Sequence, residues 1–137
     1  MTSDNALIEW DPQVFRLGVA AMDETHAQFV DLLNRLDAAV NSEFPSLFAQ
    51  LYEHTKSHFA EEEARMLRCS FPATTEHSSE HRRVLSELAQ IQKQVNKGLI
   101  SFGRAYVREG LPDWFRLHAA TMDSALAAHW KQYQATQ

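Results

Sequence analysis

The chain has 137 residues, enough for about one domain with a single core. Apolar residues at 45% and charged residues at 23% are ordinary for a globular protein and exclude disorder and fibrous repeats. The formal net charge of −5 argues against a nucleic-acid partner. The single cysteine, Cys69, excludes an intramolecular disulfide and a cysteine-built zinc site, whereas seven histidines are unexpectedly many.

Hydrophobic patterning gives no membrane segment. No uninterrupted apolar run approaches the roughly 18 residues of a membrane span, so we expect no membrane partner. The N-terminal stretch MTSDNALIEW lacks a basic segment followed by an apolar one, which predicts a cytoplasmic protein. We treat residues 1–137 as one domain and expect a monomer.

Apolar residues recur at steps of three and four along three stretches, which is the spacing of one buried helix face. The first such face ends at Val40, and Pro45 is tolerated in the first turn of the second helix. The predicted helices are the first over about residues 19–41, the second from just after Asn41 or Ser42 to the breaker CSFP at 69–72, and the third from there to Gly98.

The fourth helix is the least regular. Residues 100–110 could form a short helix, but Gly110 and Pro112 should kink it or restart it, leaving a main segment over 112–133. Four amphipathic helices with short connections and no strand signal predict an all-α fold, an antiparallel up-down-up-down four-helix bundle. An N-terminal arm with Trp10 and Phe15 should pack across it.

Polar residues interrupt the apolar faces of these helices. Buried and unpaired, such groups would cost several kcal/mol each, so a bound metal ion is the natural compensation. Residues four apart share a helix face, and two pairs have this spacing: His58 with Glu62 and His77 with His81. His118 and Asp123 are five apart, about 140° around an α-helix, so periodicity does not predict them as a pair.

Four motifs, read with Trp10 and Trp114, resemble the hemerythrins, specifically the single-domain bacterial ones. They are MDETH (22–26), HFAEE (58–62), HSSEH (77–81) and HAATMD (118–123). The resemblance covers almost the whole chain and implies a non-heme di-iron centre. It implies that His77, His81 and His118 hold one iron, that His26 and His58 hold the other, and that Glu62, Asp123 and an oxo or hydroxo group bridge them.

The implied function is reversible dioxygen binding without enzymatic turnover. In the family, oxygen binds at the five-coordinate iron, here the His26 and His58 iron, and is held as hydroperoxide. Storage, delivery to an oxygen-using enzyme, and sensing all stay open. The alternative is a di-iron enzyme acting on peroxide or nitric oxide. A ferritin-like oxidase does not fit, because no histidine here has a glutamate three residues before it.

The resemblance also implies an apolar oxygen pocket, lined by Phe29, Phe59, Trp114, Phe115 and Ala119. Relatives commonly have leucine and isoleucine at the positions of Phe115 and Ala119. The exchange could simply conserve the total volume. Alternatively, Phe115 gates the entry path, and Ala119 leaves room for a water that speeds autoxidation.

The remaining polar residues near the motifs have ordinary interpretations. Glu61 and Glu63 rotate off the buried face and should be solvated. We interpret His54, one turn before His58, as a partly exposed histidine near the edge of the core, and His129 as a favourable cation at a helix end.

Overall fold

The computed structural model describes residues 6–137; residues 1–5, where the N-terminal stretch and the proposed domain begin, lie outside the described range. The predicted all-α fold, an up-down-up-down bundle with an N-terminal arm, is confirmed. The helices are α1 (Pro12–Phe15), α2 (Ala20–Ala38), α3 (Phe44–Arg68), α4 (Thr74–Asn96), α5 (Ile100–Ala105), α6 (Leu111–His118) and α7 (Ser124–Ala135). Two π-helical turns, Tyr106–Gly110 and Ala119–Asp123, join α5 to α6 and α6 to α7.

The structure confirms the predicted end of α4 but not that of α2. Gly98 adopts φ +93°, the left-handed conformation that ends a helix, and the Leu99 N–H bonds back to the Gln94 carbonyl. In contrast, α2 stops at Ala38, because Ala39 is extended. Val40 is therefore 59% exposed, and its predicted place on the buried face is wrong.

The fourth helix does not restart at Pro112. Pro112 lies in the first turn of α6, and the backbone stays helical from Ile100 to Ala135. A proline has no N–H and clashes with the carbonyl four residues before it. The wider turn before it, in which the Leu111 N–H bonds to the Tyr106 carbonyl, accommodates both effects. This turn is a local solution that the sequence pattern did not specify.

The N-terminal arm packs across the bundle as predicted. Asp11 caps α1 by accepting from the Gln13 N–H, and the Asn34 side chain bonds to both backbone groups of Ile8. Phe15 is fully buried, whereas Trp10 beside it is 38% exposed. The arm therefore adds one aromatic side chain to the core.

The interior consists of two apolar clusters with a polar layer between them. The larger cluster surrounds Phe29, Phe59, Phe115 and their neighbours. The smaller one contains Met22, Met66, Phe71 and Leu126. The helices α2 and α3 and the run from α6 to α7 contribute to both clusters, whereas the buried apolar residues of α4 belong to the larger cluster and α4 begins beside the polar layer. All of them place polar side chains at the same level. Within residues 6–137, none of the helices has the length and apolarity needed to cross a membrane.

Candidate metal centre

The polar layer holds all seven of the residues that the sequence singled out. Each is at most 4% exposed, although all are polar or ionisable. They are His26 on α2, His58 and Glu62 on α3, His77 and His81 on α4, His118 at the end of α6, and Asp123 at the end of the second π turn.

Glu62 connects α3 to α4 through both of its carboxylate oxygens. Oε2 lies 2.8 Å from Nε2 of His58, one turn earlier on the same helix. Oε1 lies 3.0 Å from Nε2 of His81 and 3.2 Å from Nε2 of His77. The i,i+4 spacing explains the first contact, and the packing of α4 on α3 supplies the other two.

The second π turn brings Asp123 to the same level. The Ser124 N–H bonds to the Ala119 carbonyl five residues back, so residues five apart come close to one face. Asp123 Oδ1 consequently lies 3.1 Å from Nε2 of His118. Its Oδ2 lies 2.9 Å from Nε2 of His26. This single widened turn overcomes the 140° separation that an α-helix would impose.

The donor atoms divide into two sets, each converging within 4.8 Å, that have both carboxylates in common. The five-residue group is Glu62, His77, His81, His118 and Asp123; the four-residue group is His26, His58, Glu62 and Asp123. Two sets that share two carboxylates are suited to two ions side by side.

Electrostatics couple these residues strongly. Burial and the Asp123 charge act to raise the pKa of Glu62, but the facing His58 and His77 outweigh them and lower it. Burial likewise acts to raise the pKa of Asp123, yet His118 and His26 bring it well below its usual range. Burial lowers the pKa of His77, but the two carboxylates overcome this effect and raise it to about 9. The carboxylates are therefore ionised, as metal ligands must be.

Several buried atoms in this layer lack hydrogen-bond partners among the described residues. They are both ring nitrogens of His77, both of His118, and Oδ1 of Asp123. Buried polar groups are normally satisfied, and their cost when unpaired is about 1–3 kcal/mol each. Imidazole and carboxylate are a donor set that suits iron. The unsatisfied atoms and the donor types therefore both fit a metal-binding site.

Two of the histidines are held from outside the layer. The Nδ1–H of His26 donates to the Phe15 carbonyl at 2.8 Å, and that of His81 donates to Glu63 at 2.7 Å. Glu63 also accepts from the Ser78 hydroxyl. The interpretation of Glu63 as merely solvated was wrong, because its side chain reaches across to α4. The sequence did carry a signal for the Glu63 contact, namely a second carboxylate directly after Glu62. The Phe15 carbonyl that holds His26 belongs to the backbone, so no residue type in the sequence indicates that contact.

Other polar residues lie at the edges. His54 is half-buried, and its Nε2 lies 3.0 Å from the Gln28 side-chain oxygen. Burial, followed by the charge of His58, lowers the pKa of His54 to about 4. His129 Nε2 donates to the carbonyl of Cys69, the C-cap residue just after α3. Its role at a helix end is thus a hydrogen bond to the last turn of a neighbouring helix.

The aromatic residues named for the oxygen pocket surround both groups of ligands. Phe115 meets the His26 ring edge-on at 5.2 Å and packs against Phe29 at 4.4 Å. Phe59 stacks on His81 with ring centroids 3.8 Å apart. The others named were Trp114, which stacks on His118 at 4.7 Å, and Ala119, which is fully buried.

Comparison with known proteins agrees with this arrangement. The model of the hemerythrin HHE cation-binding domain matches residues 17–130. The chain belongs to this family. A bacteriohemerythrin of Ralstonia nicotianae is 38% identical over 117 residues, covering 85% of this chain and 84% of the relative. A bacteriohemerythrin of Methylococcus capsulatus is 26% identical over 122 residues, covering 86% and 92%.

Solved structures give the same fold. Two crystal structures of hemerythrin, variants with leucine replaced by alanine and by tyrosine, each superpose with a TM-score of 0.84. They are 23% identical to this hemerythrin-family chain and cover 91% of it and 98% of their own length. At this identity the likeness establishes the four-helix bundle.

Proposed function

We propose that the chain binds dioxygen reversibly at a non-heme di-iron centre and stores it, delivers it or senses it. The observation that carries the proposal is the pair of converging ligand sets, which share Glu62 and Asp123 and contain five histidines between them. A nitrogen-rich set with only two shared carboxylates differs from the four-carboxylate set of di-iron oxidases. Membership of the hemerythrin family supports the same function.

The residues would divide the work as follows. His77, His81 and His118 would hold one iron, and His26 and His58 would hold the other. The second iron would therefore have one protein ligand fewer than the first. Glu62 and Asp123 would bridge the pair, with an oxo or hydroxo group between the irons. A di-iron group held in this way would supply two electrons for the reversible reduction of dioxygen, one from each ion.

The chain's own contribution is to orient the ligands and to exclude water. Donation of the His26 Nδ1–H to the Phe15 carbonyl leaves Nε2 free to face the centre. Phe29, Phe59 and Phe115 are each at most 2% exposed, so the side of the centre where they lie is apolar. These three rings carry no ionisable proton of their own and exclude water from that side of the centre.

A part-buried hydrogen bond would fix one wall of the proposed oxygen pocket. The Trp114 indole N–H donates to Glu80 at 2.7 Å, while the Trp114 ring stacks on His118. Glu80 is also paired with Arg83. The Arg83 guanidinium lowers the pKa of Glu80 to about 2, with a further contribution from Trp114, although burial acts in the opposite direction. Glu80 is therefore charged at neutral pH and holds the tryptophan in place.

The decisive experiment is to expose an anaerobic, ferrous sample of the purified protein to oxygen. We expect a reversible colour change, with one dioxygen taken up for every two irons and released under vacuum. Immediate irreversible oxidation, with turnover of peroxide or nitric oxide, would instead favour a di-iron enzyme. A protein purified with zinc alone and unable to exchange it for iron would refute the proposal.

We propose a cytoplasmic monomer whose partners are dioxygen and, for delivery, an oxygen-using enzyme. Size-exclusion chromatography with light scattering measures the mass of the particle in solution. A co-purifying partner whose association changes with oxygen would assign the protein to sensing.

A further inference from the structure

The histidines of the centre differ in what holds their outer nitrogen. His81 donates its Nδ1–H to a carboxylate, that of Glu63, whereas His26 donates to a neutral carbonyl. The Nδ1 atoms of His77 and His118 have no hydrogen-bond partner among the described residues. His81 belongs to the five-residue group, so the charged contact lies on one side of the centre alone, as far as residues 6–137 show.

The contact between Glu63 and His81 is well supported. Glu63 Oε2 accepts from His81 at 2.7 Å, and Oε1 accepts from the Ser78 hydroxyl. The Phe59 ring stacks on the His81 imidazole at an interplanar angle of 9°. The imidazole is thus held by a stacked ring, by Glu62 at Nε2 and by Glu63 at Nδ1, so its orientation is fixed.

Glu63 reaches this position from the surface. Its side chain is 39% exposed, whereas that of His81 is only 3% exposed. A surface cavity of about 250 Å³ between α3 and α4 has Phe59 and His81 among its lining residues, and Glu63 and Ser78 line it too. A partly exposed carboxylate keeps its charge without the full cost of burial. The negative charge of Glu63 is therefore available beside the otherwise buried layer.

We propose that Glu63 is a positioning residue that acts through Nδ1 of His81 on the ion of the five-residue group. A carboxylate that accepts the outer N–H of a metal-binding histidine fixes the tautomer and makes the inner nitrogen a stronger donor. Added negative charge favours the more highly charged, ferric state. The ion of the five-residue group is thus bound more tightly and oxidised more easily than its neighbour. This inference rests on the proposed di-iron centre.

Two substitutions separate the charge of Glu63 from its geometry. Glu63→Gln keeps an oxygen that accepts from His81 but removes the charge, whereas Glu63→Ala removes both. Glu61→Gln is the matched control, because Glu61 lies two residues earlier on α3 and is exposed. The measurements are an anaerobic titration with ferrous iron and the midpoint potentials of the two ferric/ferrous steps.

We expect Glu63→Ala to weaken one of the two ferrous binding constants about 10- to 100-fold and to leave the other unchanged. Glu63→Gln should restore binding to within about threefold but raise one midpoint potential. A tenfold change in the relative affinity for ferric and ferrous iron corresponds to about 59 mV for one electron. Glu61→Gln should match the wild type in both measurements.

Equal weakening of both irons in Glu63→Ala, or a wild-type potential in Glu63→Gln, would overturn the inference. A purely structural role for Glu63 would lower the melting temperature of the metal-free protein without moving either potential. If Glu63→Ala fails to fold, the potentials of Glu63→Gln still decide. Wild-type protein that takes up two ferrous ions yet fails to bind oxygen reversibly would refute the proposed function without deciding the role of Glu63.

Discussion

Replacing Glu62 with alanine should abolish binding of both metal ions. Glu62 belongs to both ligand sets, so its loss leaves four protein ligands in one group and three in the other. It also removes the carboxylate that lies 2.8 Å from His58 and 3.0 Å from His81. Glu61→Ala is the matched control, because Glu61 is the preceding residue on the same helix and is exposed.

The magnitude follows from linkage between binding and folding. An ion present at one hundred times its dissociation constant stabilises the native state by about 2.7 kcal/mol, so two ions contribute about 5 kcal/mol. For a chain of this length, 1 kcal/mol shifts the melting temperature by about 4 °C. Iron should therefore raise the melting temperature of the wild type by about 20 °C. It should leave that of Glu62→Ala almost unchanged.

Calorimetry with and without ferrous iron, together with iron analysis, measures both effects. Glu61→Ala should retain two irons per chain and the full stabilisation, because substitutions at exposed sites usually change stability by less than about 0.5 kcal/mol. Two irons in Glu62→Ala would show that Glu62 does not bridge them. An equal melting temperature of the wild type with and without iron would refute the idea that metal compensates the buried polar layer.

Three further predictions concern the pocket, the π turn and pH. Ala119→Ile should slow autoxidation, and Phe115→Leu should speed oxygen binding and release without changing iron content; unchanged stopped-flow rates would leave both as packing variation. Ala120 is an exposed residue of the second π turn, and its deletion should convert this turn to an ordinary α-turn and retain both irons. Deleting the exposed Ala125 should instead rotate α7 and lower the stability of the protein. Iron analysis and melting curves measure both outcomes. The folded-state pKa of Glu80 is depressed, so ionised Glu80 stabilises the folded protein above about pH 4.5, and this contribution is lost as pH falls towards 2. The melting-temperature difference between wild type and Glu80→Gln should therefore shrink over that range. A constant difference would contradict the stabilising role of the Glu80 charge.

The bundle was predictable because its signals are local. Apolar residues at steps of three and four mark the faces of α2, α3 and α4, and Gly98 ends α4 where its left-handed conformation requires glycine. The spacing of four was enough to set His58 beside Glu62. Val40 was misplaced because periodicity reports which face a residue would occupy, without reporting where the backbone leaves the helix.

Contacts made between elements were harder to predict. Glu63 rotates away from the apolar face of its own helix, so its hydrogen bond to His81 depends on how α4 packs against α3. The Phe15 carbonyl, which holds His26, belongs to the backbone of the arm, and any residue type would supply it. Side-chain type therefore predicted which residues meet in the polar layer better than it predicted what orients them.

The second π turn explains why the pairing of His118 with Asp123 escapes periodic analysis. Upstream of the turn, Phe115 and Ala119 belong to the larger apolar cluster, and downstream of it Leu126 belongs to the smaller one. An unbroken α-helix would set His118 and Asp123 apart, because five residues rotate about 140° past a full turn. One widened turn, closed by the Ser124 N–H on the Ala119 carbonyl, lets the helix satisfy both clusters and still direct His118 and Asp123 into the polar layer. The helix is thus widened at this turn because it contacts the larger apolar cluster, the polar layer and the smaller apolar cluster in succession.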